Sequence, residues 1–146
     1  MTEIEMRGEA RKRLESLKDI QLEKTAIQER IQKLMLSMEP AGIPSATVFE
    51  RLSGSSTLPT LTQLKELTRL REQLDDWHNK AVNLELEILA EIHKLEHPKR
   101  RALLISKYVN GNVLGNIAFS WGYSTENIKY IHRMALLEFY NKNLKI

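Results

Sequence analysis

The stretch that decides the fold runs from Val113 to Leu137 and reads VLGNIAFSWGYSTENIKYIHRMALL. An apolar pair, Ile117 and Ala118, is followed by Gly122, and Ser124 then opens a second apolar periodicity at Ile128, Ile131 and Ala135. This spacing predicts a helix-turn-helix. A short helix turns a small residue toward its partner, a glycine takes the left-handed turn, and a second helix keeps its apolar positions inward. Ser124 is the predicted N-cap of that second helix, which extends from about Thr125 to Asn141. Its outward positions are Thr125, Glu126, Asn127, Lys129, Tyr130 and Arg133. Such side chains suit duplex DNA: Glu accepts from cytosine, Asn pairs with adenine, and Lys or Arg reads guanine or holds phosphate. Ser124 and the free backbone N–H groups beside it can also hold phosphate. The predicted core of the unit is Ile117, Trp121, Ile128 and Ile131 with Leu103, Leu104 and Tyr108, and Tyr123 at its edge.

Immediately upstream, Pro98 suits the first turn of a helix over 99–109, and Asn110-Gly111 supplies its stop. Lys99, Arg100 and Arg101 at the start of this helix are candidate phosphate contacts. Charge supports the reading. Residues 97–146 hold 8 Lys/Arg against Glu126 and Glu138, a net +6, whereas residues 1–96 hold 14 Lys/Arg against 17 Asp/Glu, a net −3. A basic third that coincides with a helix-turn-helix is the footprint expected for a polyanion partner.

On these residues the segment 84–137 resembles region 4 of bacterial sigma factors. The matching positions are Pro98, Arg101, Leu103, Leu104, Tyr108, Gly111, Ile117-Ala118, Gly122-Tyr123-Ser124, His132 and Ala135-Leu136. With long helices before that module, the whole chain is similar in architecture to sigma-like phage regulators of the ArpU/RinA type, which activate late phage genes. The resemblance implies a phage or prophage transcription regulator acting at a promoter, with RNA polymerase as a further candidate partner. Val113-Leu114-Gly115-Asn116 departs from the aromatic and acidic residues common there in the family. Gly115 on a helix surface costs about 1 kcal/mol relative to Ala.

The first 96 residues read differently. Residues 3–38 carry Ala10, Leu14, Leu17, Ile20, Ile27, Ile31, Leu34 and Met38 on one stripe among alternating charges, which predicts a solvated helix about 50 Å long rather than a core element. Residues 39–60, rich in Pro, Gly, Ser and Thr, predict a long loop, with Val48, Phe49 and Leu52 as its only docking candidates. Thr60 and Gln63 fit a capping box that starts the next helix. From there Leu67, Leu70, Leu74, Trp77, Ala81, Leu84 and Ile88 step by three and four, then Glu91 or Ile92, then Leu95. That is a coiled-coil seam, and it predicts oligomerisation. The two helices can fold back as a hairpin, and a homodimer with a four-helix core would cover the apolar surface one pair leaves. Whether the first helix pairs within its own chain or across the dimer stays open.

Other chemistry finds little footing. There is no cysteine, so disulfides, thiolate catalysis and Cys-based zinc sites are excluded. No apolar run reaches membrane-spanning length, and the charged opening MTEIEMRGEARKR does not read as a signal peptide, so the cytoplasm of a bacterial host is expected. His93-Lys94-Leu95-Glu96-His97 matches an H-x-x-E-H pattern, but Leu95 lies on the seam and Pro98 follows at once. Two solvated histidines near a helix end are the expected reading, with no metal and no cofactor. No phosphate-loop or nucleophile motif points to an enzyme. The expectation is therefore an all-α protein. Residues 1–96 would form a helical hairpin or coiled coil for oligomerisation, and residues 97–146 a helix-turn-helix domain. The predicted function is sequence-specific binding of double-stranded DNA to regulate transcription, with activation of phage genes the favoured outcome. The alternative is a coiled-coil interaction protein that binds RNA polymerase or another regulator without specific DNA binding.

Overall fold

The computed structural model describes residues 1–38 and 59–146. The expected loop, with Val48, Phe49 and Leu52, lies outside the described residues except for Pro59 and Thr60. All regular structure among the described residues is helical. The elements are α1 (Glu3–Met38), α2 (Leu61–Ile92), α3 (Pro98–Leu104), α4 (Leu114–Trp121) and α5 (Thr125–Phe139). No helix among the described residues is long and apolar enough to cross a membrane.

Local chemistry explains the boundaries. At the start of α2 the Thr60 N–H donates to Gln63 Oε1 at 2.9 Å, and the Gln63 N–H donates to Thr60 Oγ1 at 3.1 Å. This is the predicted capping box. Pro98 opens α3, where a missing N–H costs nothing. Two helices end in a widened π-helical turn, a form that the periodicity does not signal. Ile105–Val109 continues α3 and Tyr140–Leu144 continues α5. In each, an N–H reaches back five residues: Asn110 to Ile105 at 2.9 Å, and Lys145 to Tyr140 at 2.9 Å. Gly111, with φ of 79°, then takes the left-handed position beyond α3.

The chain divides into two compact units. The first comprises Met1–Ile20 and Ala81–Ile146. Its core joins Ala10, Leu14 and Leu17 of α1 to Ile88, Ile92 and Leu95 at the end of α2, and to Leu104, Ala135, Leu136 and Phe139. Each of these side chains is at most 2% exposed. Removing a buried leucine or phenylalanine of this kind from water contributes about 1.5–3 kcal/mol. Two expectations change here. The early part of α1 is a core element, because the C-terminal helices cover its apolar stripe. The division falls at 20/21 and 80/81, not at 96/97, because Leu104, Ala135, Leu136 and Phe139 share one core with the helical pair. Arg13 adds a polar clamp on the rim, with Nε 2.7 Å from Glu91 and its terminal nitrogen 3.3 Å from Glu87. The hydrogen bond that Arg13 donates to Glu91 raises the Arg13 pKa against the opposing effect of burial, and Glu87 adds to it.

The second unit is Gln21–Lys80. Leu34 of α1 packs with Leu67 and Leu70 of α2, flanked by Ile31 and Met38, and Arg30 pairs with Glu66 at 2.9 Å. Within the first unit early α1 thus meets late α2, and within the second late α1 meets early α2. The seam read from sequence is real as a helix face, and part of it packs with α1 of the same chain. Leu67, Leu70, Ala81 and Ile88 are buried in one chain, and Leu74, Trp77 and Leu84 are half-buried. Leu67, Leu70, Leu84 and Ile88, four of the seven positions assigned to oligomerisation from periodicity, pack with α1 of the same chain. Periodicity identifies a face and not what covers it.

Candidate nucleic-acid interface

The site is built on α4, the turn after it, and α5. Ile117 and Ala118 are buried on the inner side of α4, at 2% and 4% exposed. They meet Leu103 of α3 and Ile128 of α5, with Leu114, Trp121, Tyr123 and Ile131 packed around them. Gly122 ends α4 at φ 72° and ψ 30°, a left-handed conformation that a side chain would strain. The Gly122 N–H donates to Phe119 O at 3.2 Å and the Tyr123 N–H to Ala118 O at 2.9 Å. This double closure satisfies carbonyls that a helix end leaves free. Ser124 follows in extended conformation, and its Oγ accepts from the Asn127 N–H at 3.1 Å. That bond fixes the start of α5 as predicted.

The two sides of α5 differ sharply. Ile128, His132, Ala135, Leu136 and Phe139 are buried. Ser124, Thr125, Glu126, Asn127, Lys129, Tyr130 and Arg133 are exposed, and they share the other side. The Arg133 guanidinium lies 5.4 Å from the Tyr130 ring centroid, a cation–π distance that steadies both side chains.

The predicted core needs one revision. Leu103, Ile117 and Ile128 form it, but Leu104 and Tyr108 belong to the neighbouring cluster with α1 and α2. The reason is helical phase: Leu103 and Leu104 are adjacent, so they face different partners. Tyr123 stands edge-on to Trp121 at 6.0 Å, with the Lys99 ammonium 5.1 Å from its ring centroid.

The second set of predicted contacts divides. Lys99 is exposed. Arg100 donates to Glu138 at 2.9 Å, with only 22% of its side chain exposed. Arg101 donates to the Leu95 carbonyl at 2.6 Å. Both arginines therefore hold the turn between α2 and α3, which leaves Lys99 alone free for a ligand. The anchor of Arg100, Glu138, is a residue that sequence reading counted only as a charge. Its carboxylate accepts from the Glu96 N–H at 2.6 Å, from Arg100, and from His97 at 3.0 Å. Burial works against the charged form, but the Glu96 N–H, Arg100 and His97 outweigh it and hold the pKa below its ordinary value. His97 is thus tied to a carboxylate rather than merely solvated, while His93 Nδ1 lies 2.7 Å from the Leu89 carbonyl.

Two further features carry no sequence motif. Phe119 is 91% exposed on α4. The helical spacing could have flagged it, because Ile117 and Ala118 already occupy the inner side. Behind α5, the Tyr108 hydroxyl and His132 Nε2 lie 2.7 Å apart. Burial is the main cause that pushes His132 down to about 4, helped by Lys107, Arg11 and Arg7. Burial likewise pushes Tyr108 up to about 12. At neutral pH the pair is therefore a neutral hydroxyl hydrogen-bonded with a neutral imidazole.

Comparison of the chain with protein-family models, with curated proteins and with solved structures finds no match.

Proposed function

We propose that the chain binds double-stranded DNA sequence-specifically and regulates transcription, with activation of phage or prophage genes the outcome its sequence resemblance favours. One observation carries the reading: a capped helix, set off by a left-handed glycine turn, exposes Thr125, Glu126, Asn127, Lys129, Tyr130 and Arg133 together. In this reading the first turns of α5 enter a major groove. Glu126, Asn127 and Lys129 reach base edges, Arg133 reaches a base or phosphate, and the backbone N–H groups after Ser124 hold phosphate. Ser124 itself acts through its cap, which fixes the direction of α5. Selection from a pool of random duplexes tests this. Enrichment of one short motif is expected; a pool that stays random would overturn sequence-specific binding.

A homodimer remains part of the proposal, since two copies on neighbouring half-sites would multiply affinity. Leu67, Leu70, Leu84 and Ile88 of the seam already pack with α1 of the same chain. Val82 and Leu86, four apart on α2 and 40% and 60% exposed, are the alternative. Light scattering giving a monomer mass at micromolar protein would remove the dimer.

Phe119 favours a second reading, that of an interaction protein. A bare aromatic ring on α4 suits a protein partner such as RNA polymerase better than a phosphate backbone. Co-sedimentation with polymerase that Phe119→Ala abolishes, without any duplex binding by the parent, would favour it.

A further inference from the structure

A charge-free run interrupts the basic C-terminal segment. From Tyr108 to Thr125 there is no Asp, Glu, Lys or Arg, although 28% of the chain is charged. α4 lies within this run and is the one α-helix of residues 97–146 without a charge. Its outer side carries Gly115, Asn116, Phe119 and Ser120, all exposed. Phe119, at 91% exposed, is a projection. Gly115, one helical turn before it, is a recess. Among the described residues a Cβ at Gly115 would meet nothing within 4 Å, so the Phe119 ring does not fold back over it. The φ of Gly115 is not positive either. Neither backbone conformation nor internal packing therefore accounts for a residue that weakens its helix. A surface that approaches α4 closely from outside accounts for it, and would also cover the bare ring.

Shape and charge select that surface. In a two-fold interface residue i of one copy meets residue j of the other, and j meets i. A projection and a recess four residues apart on one face meet that condition. With two α4 helices antiparallel about an axis level with Ile117, the ring of each copy lies over the glycine of the other. The missing Cβ lets the helix axes come to about 8 Å, the low end of the usual range. Charge points the same way. Residues 97–146 carry a net +6, so two copies repel each other where their basic faces meet. The outer side of α4 has no charge to repel, and the Asn116 amide both donates and accepts, so like can pair with like. We propose that the outer side of α4 docks a second copy of this chain, with Phe119 of each copy seated on Gly115 of the other. The inference deepens the homodimer reading given above by placing its surface on α4 rather than on Val82 and Leu86. It stands without duplex binding.

Light scattering of the full chain over a series of micromolar concentrations tests it. The parent mass should rise toward that of two chains. Phe119→Ser removes the projection and should raise the dissociation constant at least about tenfold. Gly115→Gln fills the recess and should do the same. At dilutions where the parent is a monomer, Gly115→Gln should nevertheless unfold at a higher temperature, because glutamine favours the helix. A merely structural glycine would not give these opposite signs. Val82→Ser with Leu86→Ser should leave association unchanged. A parent that stays a monomer throughout overturns the surface and leaves α5 as the reader. A dimer that Phe119→Ser and Gly115→Gln leave intact, or that only the Val82/Leu86 variant dissociates, overturns it as well. A monomeric parent that RNA polymerase retains through Phe119 overturns it too, and assigns the ring to that partner.

Discussion

At the start of α3, Arg100 lies 2.9 Å from Glu138 and Arg101 lies 2.6 Å from the Leu95 carbonyl. On α5, Lys129 and Arg133 are exposed, and neither is in an ion pair among the described residues. The two groups look alike as letters in a basic segment. The difference is the environment of each helix. The first turn of α3 abuts Glu138 and the free carbonyls at the end of α2, so its cations hold the fold together. Among the described residues no acid pairs with Lys129 or Arg133 on the outer side of α5, so these cations keep their charge for a ligand. A basic stretch is therefore evidence for a polyanion only after the internal partners of each cation have been counted.

Breaking the internal group should give the largest effect. Glu138→Ala removes the acceptor for the Glu96 N–H, Arg100 and His97 together, and leaves a largely buried guanidinium unpaired. A loss of about 3 kcal/mol in denaturant unfolding is expected. A loss below about 1 kcal/mol would show that the cluster is a surface ornament of the kind exposed pairs often are.

Acid probes the same region through His132. Its pKa is lowered from 6.5 to about 4 on folding, so the unfolded chain binds the extra proton first. The stability this group contributes is complete above pH 6.5 and is lost as pH falls through the folded value near 4. The loss over that window is roughly 2 to 3 kcal/mol. Glu138 adds to the decline in the same direction, at pH below its ordinary 4.5. Unfolding curves measured across this range check the sum. His132→Gln, which carries no titrating group, should flatten the limb above pH 5; an unaltered limb would assign it elsewhere.

Smaller changes sharpen the contrast. Arg101→Ala frees the Leu95 carbonyl and should cost about 1.5 kcal/mol, the value of a hydrogen bond from a charged donor. Gly115→Ala should act in the opposite sense. A Cβ there meets nothing within 4 Å and φ is not positive, so about 0.5–1 kcal/mol of stabilisation is expected from helix propensity alone. Thermal unfolding reads both, and a destabilised Gly115→Ala would mean that α4 needs backbone freedom there.

Local signals were readable from the letters. Thr60 with Gln63, Ser124 at its cap and Gly122 at its turn are each decided by neighbours within three or four residues, and each lies as expected. Partners distant in sequence were not readable. Glu138 reaches Glu96 and Arg100 across about forty residues, and Ala10, Leu14 and Leu17 find Phe139 across the length of the chain. Periodicity marked the Leu67–Ile88 side as apolar, but only the fold could show that α1 packs on Leu67, Leu70, Leu84 and Ile88. The same limit applies to the exposed side of α5. Its outward positions follow from helical phase, whereas the roles of Arg100 and Arg101 depended on a carboxylate and a carbonyl that sequence spacing does not bring near them.

The central claim is that α5 reads duplex DNA through Lys129 and Arg133. The direct measurement is the affinity of parent and of Lys129→Ala/Arg133→Ala for a selected and a random duplex over a series of salt concentrations. DNA reading predicts that the parent prefers the selected duplex at least about a thousandfold. It also predicts that its affinity falls steeply with salt and that the double variant loses most of the preference while unfolding within about 0.5 kcal/mol of the parent. Equal affinity of the parent for both duplexes, or an undiminished preference in the double variant, would contradict it.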